Sequence, residues 1–173
     1  MSIAETPQDR AHLPCSCGQV EMNVHGLPIA SVVCYCDTCQ EGSRAIEALP
    51  NAEPICDPAG GTAYVAYRKD RVSYAKGTEL LRPLKIDATA TSRVYATCCN
   101  SPMVMKFDDA RHWVSIYAGR FRPQVPALDY RICTKFAPAD AEIPRDVPNS
   151  AMYPPGLMLK LLKAKIGMVF GPH

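Results

Sequence analysis

The chain reads as a mainly β protein of short antiparallel strands, closed by one C-terminal helix. Three observations predict this. Strand-length runs rich in valine, isoleucine, threonine and tyrosine recur between Gln19 and Tyr117 at the spacing of a meander. Sixteen prolines and ten glycines in 173 residues require many turns and short elements. A single helical pattern follows Pro154-Pro155.

Residues 1–13 read as a polar N-terminal tail. Gln19 to Val24 alternates polar and apolar, the period of a half-buried strand. Gly26-Leu27-Pro28 turns the chain, and Ile29 to Val33 leads into a cysteine-rich segment. Gln40 to Ala48 reads as a short helix or ordered loop, and Asn51 to Gly61 as a loop. Thr62 to Tyr67 is a strand, Lys69-Asp70 a turn, and Val72 to Ala75 the hairpin partner. Gly77 breaks the run. Leu80 to Ile86, Thr91 to Tyr95, Pro102 to Phe107 and Trp113 to Tyr117 are further strands, and Pro123 to Pro148 reads as irregular. The last helix runs from Gly156 or Leu157 to about Met168. Leu157, Met158, Leu159, Leu161, Leu162 and Ile166 cover a wide apolar face, with Lys160, Lys163 and Lys165 interspersed. That face is expected to pack on the β core. A membrane surface or a homo-oligomer contact is its alternative use.

An apolar fraction of 47% excludes a polar disordered chain, and a formal charge of +2 gives no reason to expect nucleic acid. No apolar run approaches the ~20 residues of a membrane span. Residues 1–14 lack the apolar stretch of a targeting segment, so a soluble, cytoplasmic protein is expected. Disulfides are rare in that compartment, and clustered cysteines there point to metal or thiol chemistry.

Seven of the nine cysteines form three tight groups: Cys15 with Cys17, Cys34 with Cys36 and Cys39, and Cys98 with Cys99. Tetrahedral zinc holds sulfurs at ~2.3 Å, so its ligands must lie close together. Cysteines at i and i+2 of an extended segment share a face, and a Cys-x-x-Cys pair wraps a turn. Cys34-x-Cys36-x-x-Cys39 combines both devices and brings three thiolates from six residues. Cys15 and Cys17, with one or both of Cys98 and Cys99, make a closed structural site; the other three leave a fourth position for water or substrate. Two zinc ions per chain are expected. Cys98 is open to either group, because adjacent strand residues face opposite sides. Cys56 and Cys133 stand alone and read as small buried hydrophobes.

Cys15-Ser16-Cys17-Gly18, then Cys34-Tyr35-Cys36-Asp37-Thr38-Cys39, then Cys98-Cys99-Asn100-Ser101-Pro102 resembles the pattern of the glutathione-dependent formaldehyde-activating enzyme family, which also holds centromere-protein-V-like proteins. Arg68 to Gly77 and Ala118-Gly119 add to the likeness, which covers roughly residues 14–120. The late element departs from the family spacing: aligned on Pro102, Cys99 takes the second cysteine position and Ala96 the first. The resemblance implies a β-tent fold with two zinc sites, a structural one at Cys15 and Cys17 with the late cysteines, and a catalytic one at Cys34, Cys36 and Cys39. It also implies a carbon–sulfur lyase that joins a small thiol, glutathione, to a small aldehyde, formaldehyde. The organisation that follows is a tail (1–13), a zinc-binding β domain (14–120), and a proline-rich extension with a helix packed on the same domain (121–173).

Other residues read more blandly. His12, His25, His112 and His173 lack metal spacing to a cysteine group. Asp37 reads as a capping or solvated residue, or as one that orients a thiolate neighbour or acts as a base, and Arg44, Lys69, Arg93 and Arg120 as surface cations able to meet a substrate carboxylate. Trp113, Tyr64 and Tyr67 read as core or cavity wall. Two rivals to the enzyme stand: a non-catalytic zinc module that binds a protein partner, and thiol redox chemistry at Cys98-Cys99 or Cys36-x-x-Cys39.

Overall fold

A computed structural model describes residues 10–86 and 90–171. Residues 1–9 of the expected tail, and His173, lie outside them.

Among the described residues the chain forms ten strands: β1 (Arg10–Pro14), β2 (Glu21–His25), β3 (Ala30–Cys34), β4 (Thr62–Arg68), β5 (Val72–Lys76), β6 (Leu81–Leu84), β7 (Thr91–Ala96), β8 (Ser101–Phe107), β9 (Trp113–Tyr117) and β10 (Tyr130–Ile132). Two α-helices accompany them, α1 (Asp37–Glu47) and α2 (Pro155–Phe170). Seven strands make one sheet in the order β10-β3-β4-β9-β8-β7-β6, and β1-β2-β5 make a smaller one. The fold is mainly β, as the strand spacing predicts. Its pairings are antiparallel except for β10, which lies parallel to β3.

Period-two alternation explains the two cores. On β4, Val65 and Tyr67 join Leu13, Met22 and Val24 in the core shared with the small sheet. Tyr64 faces the other way, with Val32, Met105, Leu157 and Leu161. Central strands buried on both faces, such as β4, show little polar alternation. Val65 and Ile116 are fully buried, each contributing roughly 1.5–3 kcal/mol of transfer free energy.

Four expectations need correction. Arg10–Pro14, which begins inside the expected tail of residues 1–13, is β1, paired with β2 from Arg10↔His25 to Pro14↔Glu21. Its pairing is through the backbone, and only Leu13 is deeply buried, so composition hides it. β4 and β5 are not a hairpin. Both edges of β4 are taken, by β3 and β9, so β5 crosses to β2 in the small sheet. Tyr130–Ile132, inside the proline-rich segment, adds β10 to the large sheet. Finally, α2 does not bury its whole apolar face. Leu157 and Leu161 are buried, whereas Met158, Leu159, Leu162 and Ile166 are 50–54% exposed. One i, i+4 stripe meets the sheet, and His112 Nε2 donates to Leu161 O at 2.8 Å. No described helix is long and apolar enough to cross a membrane.

Candidate metal centres

The turn after β1 and the turn after β7 bring four cysteines together. Cys15 N–H donates to Val20 O at 2.9 Å and Gly18 N–H to Cys15 O at 3.0 Å, with Gly18 at φ 75°. That tight turn places the sulfurs of Cys15 and Cys17 3.6 Å apart. Opposite it, Cys99 N–H donates to Ala96 O at 3.3 Å and Asn100 adopts φ 54°. Ser16 N–H donates to Ser101 Oγ at 2.9 Å, tying the two turns together. Cys98 Sγ then lies 3.8 Å from Cys15, 3.3 Å from Cys17 and 3.9 Å from Cys99. A tetrahedral ion with ~2.3 Å sulfur bonds requires sulfurs about 3.8 Å apart, so these four fit a metal such as zinc. Cys98 therefore sits with Cys15 and Cys17. The strand argument about its direction does not apply, because Cys98 and Cys99 lie in a turn.

The second group is local. Cys34 ends β3, Cys36 caps the N-terminus of α1, and Cys39 lies in its first turn. Cys39 and Gln40 donate their N–H groups to Cys36 O, each at 3.0 Å. Gln40 Nε2 donates to Tyr35 O at 2.6 Å and Phe136 O at 2.9 Å, clamping the loop. The three sulfurs lie within 4.8 Å of one another. Hydrogen bonds from Cys34 and then Cys39 hold the Cys36 thiol far below its ordinary range. The reciprocal contacts with Cys133 and Cys36 push Cys34 far above. Sulfurs this close give up all their protons only to a cation, and the positive end of α1 favours the charged form. Three cysteines could thus hold one metal ion while leaving a coordination position open.

A buried guanidinium accompanies each group, so Arg93 and Arg120 are not the surface cations expected of them. Arg120 donates to Pro14 O at 3.1 Å and forms an ion pair with Glu53. Arg93 is fully buried and donates to Thr38 O beside Cys39. Its Nε and Nη1 have no hydrogen-bond partner among the described residues, and it pairs with no described carboxylate. Three thiolates on a divalent ion carry one net negative charge, which Arg93 would offset. A Cβ at Gly42 would strike this guanidinium, so the bare glycine in α1 is what admits it.

The surroundings of the two groups differ. Cys34, Cys36 and Cys39 line a cavity of about 480 Å³, together with Trp113 and Tyr64 as expected for a cavity wall. The extension supplies Tyr153, Leu157 and Leu161 to the same cavity. The four-cysteine group does not line it. Tyr64 is buried, and its hydroxyl meets that of Tyr117, its register partner on β9. Cys133 is not an isolated hydrophobe: it follows Ile132, the register partner of Cys34, and its thiol meets that of Cys34. It stands outside the three-sulfur set. Cys56 joins neither group. No described histidine belongs to either; His12 instead binds Asn23 Oδ1 at 2.9 Å. Arg93, Cys133 and the cavity wall from α2 carry no spacing signal, since long-range packing alone puts them here.

Residues 9–119 match a family described as a family of unknown function, DUF6151. That span holds both cysteine groups, while β10 and α2 lie beyond it. No curated protein matches the chain. A solved structure of a Rhodobacter sphaeroides protein, a structural-genomics target, is similar over 67% of this chain and 92% of that one, at 15% identity and a TM-score of 0.49.

Proposed function

The chain belongs to the DUF6151 family, and we propose that it is a zinc enzyme of the carbon–sulfur lyase type, forming or breaking a thiol–aldehyde adduct. Cys15, Cys17, Cys98 and Cys99 hold a closed structural zinc in this reading. Cys34, Cys36 and Cys39 hold a second zinc with one position free. The observation that carries the proposal is that the three-sulfur group, and not the four-sulfur group, lines the large cavity. Residues 14–120 carry both centres, and the extension beyond them adds Tyr153, Leu157 and Leu161 to the cavity wall. The cytoplasm, where thiols stay reduced, suits such a site.

A bound zinc ion would lower the pKa of a substrate thiol and polarise a carbonyl. The chain's own residues prepare that chemistry. The N-terminus of α1 and the buried Arg93 stabilise the anionic sulfurs. The apolar part of the wall, Val32, Met105, Phe107 and Leu161, lowers the local polarity, which strengthens both effects. In the adduct reaction a sulfur–carbon bond forms, the carbonyl pair moves to oxygen, and the thiol proton ends there. No oxidant or reductant is needed. The cysteine pattern resembling the formaldehyde-activating family supports glutathione and formaldehyde as the first substrates to try.

Metal content and turnover test this together. Two zinc ions per chain in the wild type, one in a folded Cys36→Ser variant, and loss of thiol–aldehyde turnover in that variant are expected. Equal metal content in both proteins, or turnover unaffected by Cys36→Ser, overturns the reading.

One observation favours a second reading, a non-catalytic zinc module that binds a protein partner or another copy of the chain. Leu159, Leu162, Val169 and Phe170 of α2 are 52–81% exposed and form an apolar face. A concentration-dependent sedimentation coefficient, with no turnover of any thiol–aldehyde pair, would support it.

A further inference from the structure

The last helix carries a face that the fold leaves uncovered. Leu157 and Leu161 of α2 are buried against the sheet, while Met158, Leu159, Leu162, Ile166, Val169 and Phe170 are 50–81% exposed. At ~3.6 residues per turn these exposed side chains fall on one continuous arc of about 120°, clear of the buried stripe. Large apolar side chains gathered on one strip of surface mark a contact face, whereas single exposed ones do not.

The charges around the arc say what covers it. Lys163 and Lys165 border it, one along each edge, and both are exposed. Neither forms an ion pair among the described residues. Lys160 lies off the arc and is already paired with Asp129 Oδ1 at 2.6 Å. No acidic residue stands between Pro155 and Phe170. An apolar stripe edged by free lysines matches the boundary of an anionic bilayer. The apolar side chains enter the acyl layer, and the lysine stems reach back to lipid phosphates. A second copy of the chain suits the face less well. A two-fold contact through α2 would set the lysines of one copy among those of the other, with no carboxylate on either helix to pair them. The helix has 16 residues and is about 24 Å long, shorter than the ~30 Å hydrocarbon core, so it would lie along the surface and not cross it.

We propose that α2 docks the protein on the surface of an anionic membrane, with Leu162, Ile166 and Phe170 at the headgroup boundary and Lys163 and Lys165 on lipid phosphates. This goes beyond the enzyme reading and does not depend on it, because no cysteine of either group lies on α2.

Co-sedimentation of the purified full chain with lipid vesicles tests the proposal. One set of vesicles is phosphatidylcholine alone, and the other holds phosphatidylcholine and phosphatidylserine in about equal parts. Binding at least about tenfold tighter to the phosphatidylserine vesicles is expected, weakening as salt is raised. Lys163→Gln with Lys165→Gln should weaken that binding roughly 20-fold, and Lys163→Arg with Lys165→Arg should keep it. Leu162→Gln with Ile166→Gln should abolish binding to either vesicle. All these positions are exposed, so the thermal transition and the metal content should stay those of the wild type. Equal binding to both vesicles, no binding to the phosphatidylserine vesicles, or binding that survives Leu162→Gln with Ile166→Gln overturns the proposal. A concentration-dependent sedimentation coefficient of the lipid-free chain, lost in Leu162→Gln with Ile166→Gln, would also overturn it and give the face to a second copy. If that variant fails to fold, the lysine pair decides: unchanged affinity in Lys163→Gln with Lys165→Gln sinks the proposal.

Discussion

The two cysteine groups use the same ligand chemistry and are assembled in opposite ways. Cys17 and Cys98 are 81 residues apart in sequence and meet only because β1, β7 and β8 are folded into place. Cys34, Cys36 and Cys39 come from six consecutive residues at one strand–helix junction. The first group is complete, with four sulfurs and a guanidinium already paired with Glu53. The second has three sulfurs, a guanidinium with no carboxylate partner, and a cavity beside it. The contrast teaches that coordination number alone does not make a site chemically useful. An incomplete ligand set matters when the fold also leaves space at the vacant position and charge to support it.

The sharpest way to break this comparison is to remove a ligand from each group and measure stability. Cys98→Ser should destabilise the fold by several kcal/mol in a denaturant titration, because a metal bound there would join two turns 81 residues apart in sequence. Cys36→Ser should cost no more than about 1–2 kcal/mol, since strand and helix still pack. Equal losses would mean that both groups are structural.

Chelation gives the next largest effect. As a strong chelator is titrated in, the second metal should leave first, with near-UV circular dichroism retained, and the first should leave with the tertiary signal. Simultaneous loss of both metals and of the fold would erase the distinction between the sites.

Arg93→Met sharpens the electrostatic part. It should lower metal affinity of the second site by about 10–100-fold and leave the first site loaded. The chain should still fold, because the substitution strands no carboxylate. Competition with a metallochromic dye reads this, and unchanged affinity would show that Arg93 does not serve the metal.

The smallest effect concerns pH. Burial lowers the His112 pKa below 6.5, outweighing its hydrogen bond to Leu161 O. The neutral ring is therefore the form that the fold prefers. The contribution of His112 to the docking of α2 is present above pH 6.5 and is lost as pH falls through the lowered value. The ring of Trp113 lies 4.9 Å from that of His112, so its fluorescence should titrate with a midpoint under 6.5. A midpoint at or above 6.5 would show that the contact does not favour the neutral ring. Metal content of the four-cysteine group should not follow this titration.

Much of this was legible in the sequence. Alternation and turn residues located β2 and β4 to β9 to within a few residues, and Pro154-Pro155 located α2. Three errors share one cause. The pairing of β5, the strand character of Arg10–Pro14 and the addition of β10 all depend on which sheet edge is free, and an edge is not a property of a segment. The exposure of Leu162 and Ile166 has a similar origin, because periodicity shows an apolar face without showing how much surface lies opposite.

The sequence alone determined the ligand type, the grouping of seven cysteines, and the convergence of Cys34, Cys36 and Cys39, because those distances are fixed by local backbone geometry. Only the tertiary structure decided that Cys98 lies with Cys15 and Cys17, that Arg93 is buried beside Cys39, and that Leu157 and Leu161 wall the cavity. Each of these joins residues more than fifty positions apart. Such contacts form only when the packing of whole sheets outweighs the entropy of closing the loops between them.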